Sequence, residues 1–106
     1  MDKVYIVLHE SNSNLEFFTD VVPCADFNTA KSVMADMANL ILTDGNKFSG
    51  LDLDSIEKEQ DDEGADCDYA LERRDDFFHI ETTYDDYYED IQIIEKEIVW
   101  RENISI

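Results

Sequence analysis

Residues 27 to 43, "FNTAKSVMADMANLILT", constrain what the rest of the chain can build. Phe27, Ala30, Met34, Met37, Ala38 and Ile41 recur at three- and four-residue steps, so a helix gathers them into one apolar stripe. Asp26 precedes it, with a carboxylate placed to accept an N–H from the first turn and a charge suited to the positive end of the helix dipole. Asp44-Gly45 ends it, the glycine being free to take the left-handed conformation. Met34 and Met37 lie on the stripe and read as core filler rather than a cofactor box. A stripe of that kind must be buried, and most of the remaining apolar segments have strand character.

Residues 3 to 9, "KVYIVLH", are β-branched and aromatic and read as a central strand. "SNSN" follows as a turn, then "LEFFTDVV" as a second strand stopped by Pro23, which cannot donate to a ladder. Beyond the helix, Leu51, Leu53 and Ile56 can seat a short second helix over about 51 to 60, and residues 61 to 68 read as an acidic loop. Three further strand segments come next. "CDYALER" has Tyr69 and Leu71 on one side; "FFHIETT" has Phe78 and Ile80 on one face and Phe77 and His79 on the other; "YYEDIQIIEKEIVW" is the long last strand. The breaks "RRDD" and "TYDDY" have the composition of hairpin connections. The expected fold is α+β in one domain of 106 residues, a mostly antiparallel sheet in the order ββαβββ with the amphipathic helix packed on one face.

Charge narrows the partners. Asp and Glu number 27 against 8 Lys and Arg, a formal net charge of −19. Residues 52 to 90 alone hold seventeen acids against Lys58, Arg73 and Arg74. Such a chain repels nucleic acid and anionic membranes and favours a basic partner. With 43% hydrophobic and 11% aromatic residues it can still bury a core, which a disordered acidic tail cannot. "MDKVYIVLHE" is too short in its apolar run for a secretory signal, and no segment approaches the length of a membrane span. Cys24 and Cys67 are unpatterned and suit reduced thiols, so the expected compartment is the cytoplasm.

Reaction signatures are missing from the sequence. Gly45, Gly50 and Gly64 stand apart and match no phosphate-binding loop, and there is no G-x-S-x-G elbow. Cys24 or Cys67 with His9 or His79 lacks the local context of a nucleophile pair and the close ligand spacing of a zinc site. With Gly64 at the sixth position of a calcium loop, Glu59, Asp61 and Glu63 fall on ligand positions, but Ala70 replaces the closing glutamate. The acidic loop therefore offers at most weak, irregular calcium binding. No pair of carboxylates stands out for acid–base catalysis, and no cofactor or enzymatic activity is expected.

The opening "KVYIVLHE" and the closing "IQIIEKEI", with a capped helix between, resemble a loose group of small bacterial and mobile-element proteins. These begin K-V-Y-hydrophobic-V and finish on a strand ending E-K-E-I. The resemblance implies the order of elements and no chemistry. In size and charge alone the chain resembles the acidic nucleic-acid mimics of phages, the anti-restriction and anti-CRISPR inhibitors.

The acidic second half carries the functional expectation. Asp52/Asp54, Glu57/Glu59/Asp61, Asp66/Asp68 and Glu95/Glu97 recur at two-residue steps, about 6.6 Å apart if extended, which is phosphate-like. At one charge per ~1.7 Å of duplex axis, nineteen charges match ~32 Å of DNA. Tyr84, Tyr87 and Tyr88 add the rings that dominate interfaces, in positions to meet arginines. The expected partner-binding set is Asp61, Asp62, Glu63, Asp66, Asp68, Asp75, Asp76, Tyr84, Asp85, Asp86, Tyr87, Tyr88, Glu89 and Asp90. The leading expectation is a nucleic-acid mimic that occupies the groove of a basic nucleic-acid-binding protein or nuclease. The alternative is a small protein-interaction domain whose acidity serves solubility. A homodimer through the sheet edge requires an apolar patch that the sequence does not locate.

Overall fold

The computed structural model describes residues 2–13, 15–43, 47–62, 67–84 and 86–99. They form β1 (Lys3–Ser13), β2 (Glu16–Cys24), α1 (Phe27–Thr43), α2 (Leu53–Asp61), β3 (Tyr69–Arg74), β4 (Phe77–Thr82) and β5 (Tyr87–Glu97). The strands make one antiparallel sheet in the order β2-β1-β5-β4-β3. The expected α+β class and order of elements hold.

The first and last strands meet in the middle, pairing along eleven residues from Lys3↔Glu97 to Ser13↔Tyr87. Because side chains alternate, this register sorts the whole sheet into two faces. Tyr5, Val7 and His9 of β1 share one face with Ile91 and Ile93 of β5, Phe78 and Ile80 of β4 and Leu71 of β3. Both helices pack there. Val7, Ile80 and Ile91 are fully buried, and Ala30 and Ile41 from α1 and Ile56 from α2 close over them. The Tyr5 ring meets Phe27 edge to face at 5.9 Å. The opposite, open face carries Val4, Ile6, Leu8 and Glu10 of β1 beside Ile94, Gln92 and Asp90 of β5.

α1 keeps its expected bounds and its expected cap. Asp26 Oδ1 accepts the Thr29 N–H at 2.7 Å, and that backbone hydrogen bond holds its carboxyl below the usual carboxylate range. Asp44 and Gly45 lie outside the described residues.

Several boundaries differ from the sequence reading: β3 starts at Tyr69, β5 ends at Glu97 and α2 includes Asp61, and two more differences have a physical cause in the sheet. Ser11, Asn12 and Ser13 are not turn residues; they continue β1, because each is paired on both sides, with β2 and with β5. Ladder bonds on two sides outweigh the turn preference of Ser and Asn. Pro23 does not stop β2 either. The Ile93 N–H donates to the Asp76 carbonyl at 2.9 Å, so at Val7↔Ile93 the backbone of Val7 turns toward Val22. Pro23, one residue on, then faces outward on an edge strand, where no donor is required.

Truncation at the centre of this arrangement should be expensive. Ile91→Ala is expected to cost roughly 2–5 kcal/mol by urea denaturation, against less than about 0.5 kcal/mol for Val99→Ala on the exposed end.

Candidate functional site

The carboxylates expected to bind a partner are divided by the sheet. Tyr87 to Asp90 open β5, so Tyr87 and Glu89 point to the helix face and Tyr88 and Asp90 to the open face. Glu89 Oε2 lies 2.7 Å from His9 Nε2, with side-chain exposures of 16% and 14%. Asp90 Oδ2 lies 2.8 Å from His79 Nδ1, at 20% and 26%. Both acids are therefore part-buried and already engaged by a histidine, and offer little to an incoming protein. Tyr88 stacks on His79 at 6.2 Å, and His79 stacks in turn on Phe77 at 6.1 Å. The Lys47 ammonium sits 5.1 Å over the Tyr87 ring. Tyr84 and Asp86 are exposed in the β4–β5 connection. Asp75 and Asp76 form the β3–β4 turn, and Asp68 accepts the Thr83 N–H through its carbonyl at 2.9 Å. Glu63, Asp66 and Asp85 lie outside the described residues.

The concentrated acidity lies on α2. Asp52 caps this helix, accepting the Asp54 and Ser55 N–H groups at 3.1 and 3.3 Å and the Ser55 hydroxyl at 3.0 Å. The Ser55 hydroxyl is the main cause that lowers the Asp52 carboxyl below its usual range. Ile56 is buried against the sheet and Leu53 packs beside it. One turn on, Gln60 grips the outer side of β3: Leu71 N–H donates to its Oε1 at 2.6 Å, and its Nε2 donates to the Leu71 carbonyl at 3.0 Å. A side-chain amide thus stands where a further strand would pair. Arg73 completes the attachment, with Nη2 on Asp54 Oδ1 at 2.9 Å and in contact with Glu57. Those bonds, that to Glu57 foremost, stabilise its guanidinium charge.

What results is an acidic rim that is compensated only in part. Asp52, Asp54, Glu57, Glu59, Asp61 and Asp62 occupy eleven residues, with Lys58 the only base among them. Arg73 answers two of these; Glu59, Asp61 and Asp62 are exposed and have no ion-pair partner among the described residues. The extended spacing of 6.6 Å does not apply here, because the segment is helical. Asp54, Glu57 and Asp61 instead share a stripe at three- and four-residue steps, about 4.5 and 6 Å along the axis. Glu72 on β3 extends the acidity onto the same edge of the sheet.

The opposite edge has another character. β2 carries only Glu16 and Asp20 and no base, while Phe17, Phe18 and Val21 are each more than half exposed. Charge and apolar surface occupy opposite edges, about four strand spacings or ~19 Å apart.

The remaining chemistry is dispersed. His9 and His79 sit on opposite faces of the sheet and Cys24 and Cys67 near opposite edges, so neither pair shares a site. Among the described residues no group of three or more His, Cys, Asp or Glu is placed to hold a metal, and no helix is long and apolar enough to cross a membrane. No family model, curated protein or solved structure matches the chain.

Gln60 was not singled out in the sequence, although Leu53, Ile56 and Gln60 at three- and four-residue steps place it on the buried side of an amphipathic helix. Gln60→Ala removes both bonds to Leu71. It is expected to lower stability by about 1–3 kcal/mol and to speed amide exchange at Leu71, measured by denaturation and hydrogen exchange.

Proposed function

We propose that the protein is an acidic binding protein that docks through α2 and the β3 edge onto a basic surface made for nucleic acid, and so blocks it. The observation that carries this reading is the acidic row held in place on α2, in which Glu59, Asp61 and Asp62 are exposed with no ion-pair partner among the described residues. Asp52 caps the helix, Ile56 buries one side of it, and Gln60 and Arg73 fasten it to β3. Carboxylates held this way lose little freedom on binding, which lowers the entropic cost of association. Arginines that cradle phosphates can take carboxylates in the same forked geometry. Glu59, Asp61 and Asp62 are the groups most open to such pairing. The anti-restriction and anti-CRISPR inhibitors are the class this reading most resembles, and a nuclease or another basic nucleic-acid-binding protein is the corresponding partner.

A second reading, a small interaction domain whose acidity serves solubility, draws on the exposed apolar edge of β2. The two readings place the contact on opposite sides of the molecule.

The experiment is capture of basic nucleic-acid enzymes from a lysate, followed by affinity measurement on the captured enzyme with and without competing duplex DNA. The variant carrying Glu59→Gln, Asp61→Asn and Asp62→Asn should bind roughly 10- to 100-fold more weakly and show a shallower dependence on salt. Glu16→Gln with Asp20→Asn, on the other edge, should bind as the wild type does. Binding that DNA does not compete, or that falls equally in both variants, contradicts mimicry through this edge.

A further inference from the structure

The two edges of the sheet are finished differently. On β3, the outward N–H and C=O of Leu71 are occupied by the Gln60 amide. On β2, the register to β1 turns the backbone groups of Phe17, Thr19 and Val21 outward, and nothing among the described residues bonds them. The side chains around them are apolar and exposed: Phe17, Phe18 and Val21 on the strand, Leu15 before it and Leu40 on the facing helix. A long apolar edge with open hydrogen-bonding groups is a template for another strand, and proteins that remain monomeric usually guard it with charge or cover. Lysine is absent from β2, and its proline sits at the far end.

We infer that β2 pairs antiparallel with β2 of a second copy, so that one sheet runs through a two-fold symmetric dimer. The strand suits itself in one register. With the dyad at Thr19, Thr19 faces Thr19 of the other copy and Phe17 faces Val21. Each of these pairs exchanges two backbone hydrogen bonds, since all three residues turn their groups outward. In the same register Asp20 lies opposite Phe18, and Glu16 opposite Val22, so no acid directly opposes an acid. At the ends Pro23 meets Leu15. Pro23 has no N–H to satisfy, and the Leu15 N–H already donates to Asn12 Oδ1 at 3.0 Å. The pairing leaves no orphaned donor.

A net charge of −19 on each copy opposes association, but its placement weakens the objection. The α2 edges of the two copies fall at opposite ends of the joined sheet, each ~19 Å from the junction, against a screening length of about 8 Å at physiological salt. Face-to-face packing of the open faces is less suitable. Glu10, Asp90 and Glu72 form one row across that face with His79, and packing two copies would bury those carboxylates. The inference rests on β2 and not on α2, so it can fail while the proposed function stands, and the reverse.

The test is the solution mass of the purified full chain by sedimentation equilibrium, with two variants. The wild type should weigh twice the 12.3 kDa chain at micromolar concentration and moderate salt. Val21→Lys, which puts a charge on an already exposed position, should weaken the dimer at least tenfold while leaving the circular dichroism of the chain unchanged. Thr19→Cys should form a covalent dimer on mild oxidation, well beyond any cross-linking of the wild type through Cys24 or Cys67, and faster than Phe17→Cys, which does not face itself across the dyad. A wild-type monomer at every concentration overturns the inference and leaves the edge to a foreign strand. A dimer indifferent to Val21→Lys, with no cross-link at position 19, overturns it as well.

Discussion

The pairing of β1 with β5 decides the rest of the structure. It joins residues from the two ends of the chain, with His9 and Glu89 meeting across a separation of 80 positions. No local turn fixes such a pairing; the register is held by what it buries. With Val7 opposite Ile93 and His9 opposite Ile91, the aliphatic side chains of Val7, Ile91 and Ile93 lie on the helix face and the acids Glu10 and Asp90 lie on the open face. A slip of one residue in β5 would send Ile91 to the open face and Asp90 beneath the helix. The same alternation divides Tyr87, Tyr88, Glu89 and Asp90 between two faces, so a run that looks continuous in sequence cannot form a continuous surface.

The fold handles its surplus of negative charge by segregation. The part-buried acids Glu89, on the helix face, and Asp90, on the open face, are each bonded to a histidine contributed by another strand, which satisfies carboxylates that have lost much of their contact with water. Most of the α2 acids stay at the surface, on a helix whose apolar contact with the sheet is made by Ile56 and its neighbours. Arg73 and Gln60 then use the outer side of β3 for attachment, and this also closes that edge to other strands. Nothing equivalent among the described residues covers β2, which keeps its aromatic residues and few charges. The molecule therefore presents an electrostatic edge and an apolar one, whose interactions should respond oppositely to salt: screening weakens attraction at the first and relieves repulsion between copies at the second.

Local signals carried the helices and most strands. The apolar stripe of α1, its Asp26 cap and the alternation of Phe78 and Ile80 against Phe77 and His79 were legible because each depends on residues within a turn or a strand of one another. The extension of β1 through Ser13 was not, because it depends on partners far away in sequence. Pro23 misled for a related reason: whether a missing N–H matters depends on which side of the strand has a neighbour, and that is a property of the sheet. The candidate site was legible in part. The acidity of residues 52 to 62 is plain from composition, but its geometry changes once the segment is helical. The engagement of Glu89 and Asp90 requires knowing that His9 and His79 stand beside them. Gln60 carries a local signal, its place on the apolar side of α2, whose meaning appears only when β3 lies beneath it.

The placement of the binding surface on α2 can be tested without knowing the partner. Titrating isotope-labelled protein with an arginine-rich peptide, and following the backbone amide signals by NMR, maps where basic groups settle. The account predicts that the shifts concentrate between Asp54 and Asp62 and along β3, fade as salt is raised, and leave β2 untouched. Shifts centred on Tyr84 to Asp90, or spread evenly over the surface, would contradict it.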